Sequence, residues 1–455
     1  MALFVSGFLK YLESGKYTDL VLISQHGKFH VHKIILVYSS EFFARLLLGE
    51  FRESKQAEIE LKYPDPDNVF PTVLKFMYGG NISGLVDHHN VIALLAMADH
   101  YLIHELKDYC HQYIENHVTR NNALEMLHKA IELQVHDMIE FYSNLISKAF
   151  CNIPNADYTQ FSFPIFSKIL HHKYLAVRDE YALYNIIMGY ISANREELND
   201  KQIEELVECI RFRFMTFEQL KECQQNPSVP KHLLLEAIMF RLKIHEVPDK
   251  SDVEAVSSNI RLQKRITCTT FEYKYDFDDR GILHYLATNG GTETWNKLEL
   301  AKKVAVTSSS IEMGKASDLL NKTATELWTK DVPASWFTID FGKSRRVFPT
   351  QYTLRHGGNY RADSLRTWDL QGSVDGKSWS VIKRHNQDTS LTDKFATHTW
   401  TINLDEHTAY RYFRILQTGR NSSNHNFLVL SGIEFYGDLY EWNDDEDSAS
   451  LDIHL

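Results

Sequence analysis

By residue type, the candidates for metal chemistry are two adjacent histidine pairs, His88-His89 and His171-His172. Neither has the His-Glu-x-x-His spacing that stacks two imidazoles on one helical face, and adjacent side chains on a helix do not converge on one ion. Gly342-Lys343-Ser344 has the closing residues of a phosphate-binding loop. The first glycine of that loop would fall where Phe337 stands, so the segment reads as an ordinary loop. There is no G-x-S-x-G elbow and no Cys/His nucleophile signature. Asn321-Lys322-Thr323 and Asn421-Ser422-Ser423 fit the glycosylation acceptor pattern, but a motif this short recurs by chance and needs a secretory route. The residues imply no catalytic, cofactor-binding or metal site, and hence a protein that is not an enzyme.

The chain has 455 residues, 44% of them hydrophobic and 24% charged. At roughly 150 residues per domain that is room for about three domains. The longest clean apolar run, Val91 to Ala98, is far below the roughly 18 residues of a membrane span and reads as core. Met1 to Leu9 lacks the basic start and small-residue cleavage pattern of a secretory signal. The five cysteines, Cys110, Cys151, Cys209, Cys223 and Cys268, contain no CxxC pair, and none follows Cys268. That usage favours a reducing, cytoplasmic setting. A net charge of −11 argues against nucleic acid as a partner. The end of the chain, 441–455, holds Glu441, Asp444, Asp445, Glu446, Asp447 and Asp452 without a Lys or Arg, and reads as a disordered, solubilising tail.

Residues 1–118 alternate short strands and helices around a small α+β core. Asp19 to Ile23 has the period of a strand, His32 to Leu36 opens a helix with Ile35 and Leu36 inward, and Ser39 or Ser40 can cap a helix over Glu41 to Leu48. A strand over Glu58 to Leu61, a Pro64-Asp65-Pro66 turn and a helix over Phe70 to Tyr78 follow. The ordered segments TDLVL, FHVHKIILVYSSEFFARLLLGEFRES, FPTVLKFMYGG and ALLAMADHYLIHELKDYC resemble the BTB/POZ domain over its whole length. That resemblance implies a buried charged cluster of Asp19, His32 and Lys33. It also implies homodimerisation through an N-terminal helix whose apolar face would be Phe4, Phe8, Leu9 and Leu12. Phe51-x-Glu53 matches the hydrophobic-x-acid element with which BTB adaptors contact cullin-3, an aromatic anchor beside a pairable carboxylate.

Residues 119–247 read as successive helices, with Leu183, Ile186, Ile187, Tyr190 and Ile191 forming one stripe. SKILHHKYLAVRDEYALYNIIMGYI, with Ile210 to Met215 after it, resembles the BACK segment of ubiquitin-ligase adaptors; Leu175-x-Val177-x-x-Glu180 is its most recognisable part, and Tyr190 stands where that family often has Trp. A polar stretch, 248–268, reads as a linker.

Residues 269–440 have the short alternating strands of an all-β sandwich: Phe337, Ile339 and Phe341 share one face, Trp368, Leu370, Gly372 and Val374 another, and Asp375-Gly376 marks a turn. VAVTSSS, WFTIDFG, YTLRHGG, WDLQGSVDGKSW, YRYFRI and LSGIEFYG resemble the discoidin (coagulation-factor type C) domain, a galactose-binding-like jelly roll. In such domains the loop rim binds sugar, phospholipid or peptide. The corresponding candidates are Asn289, Gly290, Gly291 and Trp295 in one loop. Arg355, His356, Gly358, Asn359, Tyr360 and Arg361 lie in a second, and Arg420, Asn421, Asn424, His425 and Asn426 in a third. No pair of apolar spikes for membrane insertion is evident.

The three resemblances together imply a dimeric adaptor that recruits a protein target to a cullin-3 ubiquitin ligase. The alternatives are a BTB scaffold without ubiquitin function, or a multimerised glycan- or lipid-binding module.

Overall fold

The strand expected at Asp19 to Ile23 forms one residue later, because Leu20 and Leu22 are the side chains that enter the core. The computed structural model describes residues 8–49, 52–117, 122–150, 158–243, 265–358, 360–402 and 408–442. Contacts divide the chain into two units, Met1–Ile146 and Ser147–Leu455.

In the first unit, α1 (Leu9–Ser14) buries none of its side chains. β1 (Leu20–Ser24) is the centre of a three-stranded sheet, antiparallel to β2 (Gly27–Val31) and parallel to β3 (Glu58–Glu60). α2 (Lys33–Ser39) turns Ile35 and Leu36 inward. Of the two expected caps, Ser40 serves α3 (Glu41–Leu48): its Oγ accepts the Phe43 N–H at 3.1 Å and donates to the Tyr101 carbonyl at 2.6 Å. Asp65, 2% exposed, explains the Pro-Asp-Pro turn. Its carboxylate accepts the N–H groups of Val69 and Phe70 at 2.8 and 3.0 Å, satisfying donors that open α4 (Phe70–Met77). α5 (Val91–His100) has eight consecutive buried residues, Val91 to Ala98, so it is a core helix. α6 (His104–His117), α7 (Ala123–Glu132) and α8 (His136–Lys148) follow. The His88-His89 pair, discounted above as helical, lies in the turn before α5.

The second unit opens with α9 (Phe163–Leu170), α10 (Glu180–Ala193), α11 (Asp200–Glu208), α12 (Phe217–Gln224) and α13 (Lys231–Lys243). Asp179 caps α10 on the Ala182 N–H at 2.7 Å. Within α10, Leu183, Ile187, Tyr190 and Ile191 are buried. Tyr190 stacks on Phe166 with centroids 4.0 Å apart and donates to the Phe161 carbonyl at 2.9 Å, so it fills an aromatic position and satisfies its hydroxyl.

The β region contains β4 (Thr267–Phe271), α14 (Ile282–Ala287), α15 (Lys297–Lys303), β5 (Ala305–Ser308), β6 (Trp336–Asp340), β7 (Arg345–His356), β8 (Trp368–Ser373), β9 (Ser380–His385), β10 (Thr397–Thr401), β11 (Tyr412–Gln417) and β12 (Leu430–Glu441). They form an antiparallel sheet of order β10-β7-β12-β4 and a second of order β5-β6-β11-β8-β9. This is the expected all-β jelly-roll sandwich. Phe337, Ile339 and Phe341 are fully buried between the sheets with Tyr352, Leu354, Trp368, Leu370, Phe413, Ile415 and Phe435.

Two expectations are corrected. The linker reading of 248–268 runs too far: Arg265 and Ile266 are already buried, and β4 starts at Thr267. The tail reading starts too early, because Glu441 ends β12, opposite Thr267 and Arg345. Both ends are held because β4 and β12 pair with each other. The remaining linker residues, 248–264, and tail residues, 443–455, lie outside the described residues, as do Phe4, Phe51, Asn359 and the Glu53 side chain. Among the described residues no helix is long and apolar enough to cross a membrane.

Candidate recognition surfaces

In the first unit the polar residues around α2 are fixed by backbone geometry. Asp19 Oδ1 accepts the Lys33 N–H at 2.8 Å, filling an open donor in the first turn of α2. The Tyr78 hydroxyl meets both the His32 N–H and His32 Nδ1 at 2.8 Å, and His32 Nε2 lies 2.9 Å from the Lys16 carbonyl. Burial pushes the Tyr78 hydroxyl up to about 12. The cluster is not buried as expected: Asp19 is exposed and His32 and Lys33 are half-buried, because they sit at the open N-terminal edge of a short helix.

Beside it, apolar side chains face outward. Ile34 and Tyr38, one turn apart on α2, are 69% and 72% exposed, and Leu48 at the end of α3 is 74% exposed. On α1, Phe8 is exposed and Leu9 and Leu12 are half-buried, so the helix lies on the domain without entering its core. A short 3-10 turn, Arg52–Lys55, carries Glu53 and follows Leu48 within a few residues.

In the sandwich, the three loops proposed as one rim do not come together. Lys303 Nζ approaches Asn289 Oδ1 at 3.5 Å, and the Lys303 carbonyl lies against Gly342, in the turn that leads into β7 at Arg345. Asn289, Gly290, Gly291 and Trp295 therefore belong to the end where β7 begins. Gly358, Tyr360 and Arg361 follow His356, where β7 finishes, on the order of 35 Å away at the rise of a twelve-residue strand. Trp295 also packs against the core.

At the far end the second and third loops form one surface. The N–H groups of Asp363 and Ser364 donate to Ser423 Oγ and Ser422 Oγ, each at 2.9 Å. Asp363 Oδ1 accepts from Asn421 Nδ2 at 3.1 Å and lies 3.0 Å from His425 Nδ1. Asn426 donates from its backbone and side chain to Asp331 Oδ1 at 2.6 and 2.9 Å. Those bonds, the backbone one foremost, hold the Asp331 carboxyl below its ordinary value. Arg420 donates to the Asn424 carbonyl at 2.9 Å.

Burial separates rim residues from framework residues. Tyr360, Arg361, Arg420, Asn424 and His425 are exposed and Asn426 is half-buried. Arg355, His356 and Asn421 are buried. Arg355 is committed to structure: it donates to the carbonyls of Asn321, Lys322, Thr323 and Ser431, and burial lowers its guanidinium to about 10. Burial also lowers the His356 imidazole. Gly358 sits where a Cβ would come within 2.8 Å of His356 Nε2, so the close approach of this loop requires glycine. Sequence reasoning missed Asp363 and Asp331, the carboxylates that join the loops, since isolated aspartates in turn-rich segments carry no distinguishing signal.

Family models match this chain as BTB/POZ domain over residues 8–118, BACK (BTB And C-terminal Kelch) over 123–225 and F5/8 type C domain over 303–430. The chain carries BTB, BACK and discoidin domains in that order. A BTB/POZ domain-containing protein of Arabidopsis thaliana is 25% identical over 480 aligned positions, covering 95% of this chain and 58% of that protein. The E3 ubiquitin-protein ligase Ufd4 of Drosophila melanogaster is 39% identical over 193 residues, 41% of this chain and 7% of Ufd4. Kelch-like protein 41 of Mus musculus is 24% identical over 262 residues, 56% of this chain and 42% of that protein. The chain thus spans between a small fraction and somewhat more than half of the length of these relatives. Among solved structures, CpGH89CBM32-5 from Clostridium perfringens, in complex with GalNAc-β-1,3-galactose, is 16% identical over 30% of this chain and 96% of that one, with a TM-score of 0.25. The BTB-BACK arrangement is that of adaptor-type proteins.

Proposed function

We propose that this protein is a substrate-recruiting adaptor of a cullin-3 ubiquitin ligase, working in the cytoplasm as a homodimer through its BTB domain and capturing a protein target with its discoidin domain. The observation that carries the reading is the order of domains, a BTB domain followed directly by BACK and then by a binding-type sandwich. The outward-facing Ile34, Tyr38 and Leu48 supply the apolar surface that protein contacts need, and Phe51 and Glu53 continue from Leu48. The exposed Tyr360, Arg361, Arg420 and His425 form the directed donor surface that would meet the target. Cys110, Cys209, Cys223 and Cys268 are buried as thiols rather than joined in disulfides, which suits a reducing compartment. Dimerisation would place two target-binding surfaces on one assembly and raise avidity through effective concentration.

Calorimetric titration of the full chain with the N-terminal domain of cullin-3, beside a Phe51→Ala, Glu53→Ala variant of unchanged circular dichroism, tests this. Saturable binding that the variant weakens by more than about 2 kcal/mol is the expected result. A folded, dimeric wild type that does not bind overturns the adaptor reading and leaves a BTB scaffold.

A further inference from the structure

Outside the surfaces described above, one cluster brings metal-ligating side chains together from separate elements. His88 and His89 lie in the turn before α5, and Glu125 lies in the first turn of α7. One ring nitrogen from each histidine and one carboxylate oxygen all fall within 4.8 Å of one another. His89 Nδ1 is already 2.7 Å from Glu125 Oε1, and the two imidazole centroids are 3.8 Å apart.

The turn converges two adjacent side chains that a helix would have splayed. Its shape is held by Asp87, whose Oδ1 accepts the N–H groups of His89 and Asn90 at 2.9 and 3.0 Å. Asn90 returns the bond, accepting the Asp87 N–H at 3.0 Å, and donates to the Leu85 carbonyl at 2.8 Å. In a tetrahedral zinc site with bonds of about 2.0 to 2.1 Å, donor atoms sit roughly 3.3 Å apart. All three side chains are exposed, so rotation about their side-chain bonds can close the remaining gap without disturbing the core.

We propose that His88, His89 and Glu125 bind a divalent transition-metal ion of the zinc class. Two imidazoles and one carboxylate are donors suited to zinc, copper or nickel and unsuited to magnesium or calcium, which take oxygen ligands. Three protein donors leave the fourth position to water. The ion would tie a turn inside the BTB domain, just before α5, to the first turn of the helix that opens BACK, a role separate from the adaptor function. Without metal, the same residues form an exposed His89–Glu125 pair of little energetic weight.

The test is titration of the full chain with zinc chloride by calorimetry, and with cobalt(II) followed by visible absorption. His88→Ala, His89→Ala and Glu125→Gln are measured alongside, each with a melting profile to confirm folding. The wild type should bind one equivalent with a tetrahedral cobalt spectrum lacking a thiolate charge-transfer band. Each substitution should weaken binding by at least the roughly tenfold that loss of even an outer-shell partner produces. Absence of saturable binding, binding that survives all three substitutions, or a spectrum with thiolate bands would each overturn the proposal.

Discussion

Arg265 donates from Nε to Glu180 Oε1 at 2.9 Å, with both side chains buried, 7% and 6% exposed. The other Glu180 oxygen accepts the Arg211 N–H at 2.9 Å, and Arg265 also donates to the Cys209 carbonyl. Next to this pair the Val177 N–H donates to the Ile266 carbonyl at 3.1 Å, and the Val177 carbonyl accepts the Cys268 N–H at 3.0 Å. Val177 and Glu180, two residues of the most recognisable BACK motif, are therefore the ones that dock the segment entering the discoidin domain.

Removing one partner of this pair strands the other charge. Arg265→Met should destabilise the helical segment by about 3 to 5 kcal/mol, and the double change Arg265→Met, Glu180→Leu should recover most of that loss. Urea unfolding followed by far-ultraviolet ellipticity measures both. A single variant within about 0.5 kcal/mol of wild type would show that the pair contributes nothing.

The core of the sandwich holds a polar chain. The Tyr352 hydroxyl accepts from Trp368 Nε1 at 3.1 Å and lies 2.8 Å from His385 Nε2. His385 stacks on Trp368 at 4.0 Å and reaches Asp388 at 3.2 Å, and Trp400 Nε1 donates to Asp388 at 2.9 Å. Tyr352→Phe keeps the packing and strands two buried nitrogens, so it should cost about 1 to 3 kcal/mol. All seven tryptophans lie between Trp295 and Trp442, so fluorescence-detected unfolding reports this domain selectively.

Glu434 gives the same domain a pH dependence. Burial pushes its carboxyl up to about 8, although the N–H groups of Leu283, His284 and Phe435 donate to it and pull the other way. An unfolded glutamate titrates near about 4.3, so the folded state holds the extra proton between the two values. The associated stability is complete below the unfolded value and is lost as pH rises through about 8. Fluorescence-detected urea midpoints should fall between pH 5.5 and 9, and Glu434→Gln should flatten that profile whatever its absolute stability. A wild-type profile that is level over this range would refute the shift.

Framework and rim arginines should part company. Arg355→Met removes the donor shared by four carbonyls and should destabilise the sandwich by about 3 kcal/mol. Arg420→Ala and Tyr360→Ala should stay within about 0.5 kcal/mol in the same unfolding assay, since each side chain is exposed.

Periodicity made the strands and core legible: Phe337, Ile339 and Phe341 alternate inward as their spacing requires, and Val91 to Ala98 is buried throughout. What periodicity does not encode is which loops meet. Asn289 and Tyr360 both sit in polar, turn-forming segments, and only the contacts of Lys303 with Asn289 and with Gly342, beside the start of β7, show that the two occupy opposite ends. Arg355 and His356 look like rim residues in sequence, yet burial decides against that role. Arg265 gave no signal at all, because a lone arginine in a polar stretch is indistinguishable from a solvated one until its partner, 85 residues away, is known.

The pairing of Thr267 with Glu441 brings the first and last strands of the sandwich side by side. A module entered and left through one doorway can be spliced between unrelated neighbours without threading the chain around its body. The loops at the opposite end, Tyr360 to Ser364 and Arg420 to Asn426, are then free to diversify, since insertions there neither pass through that doorway nor break the strand pair that closes it.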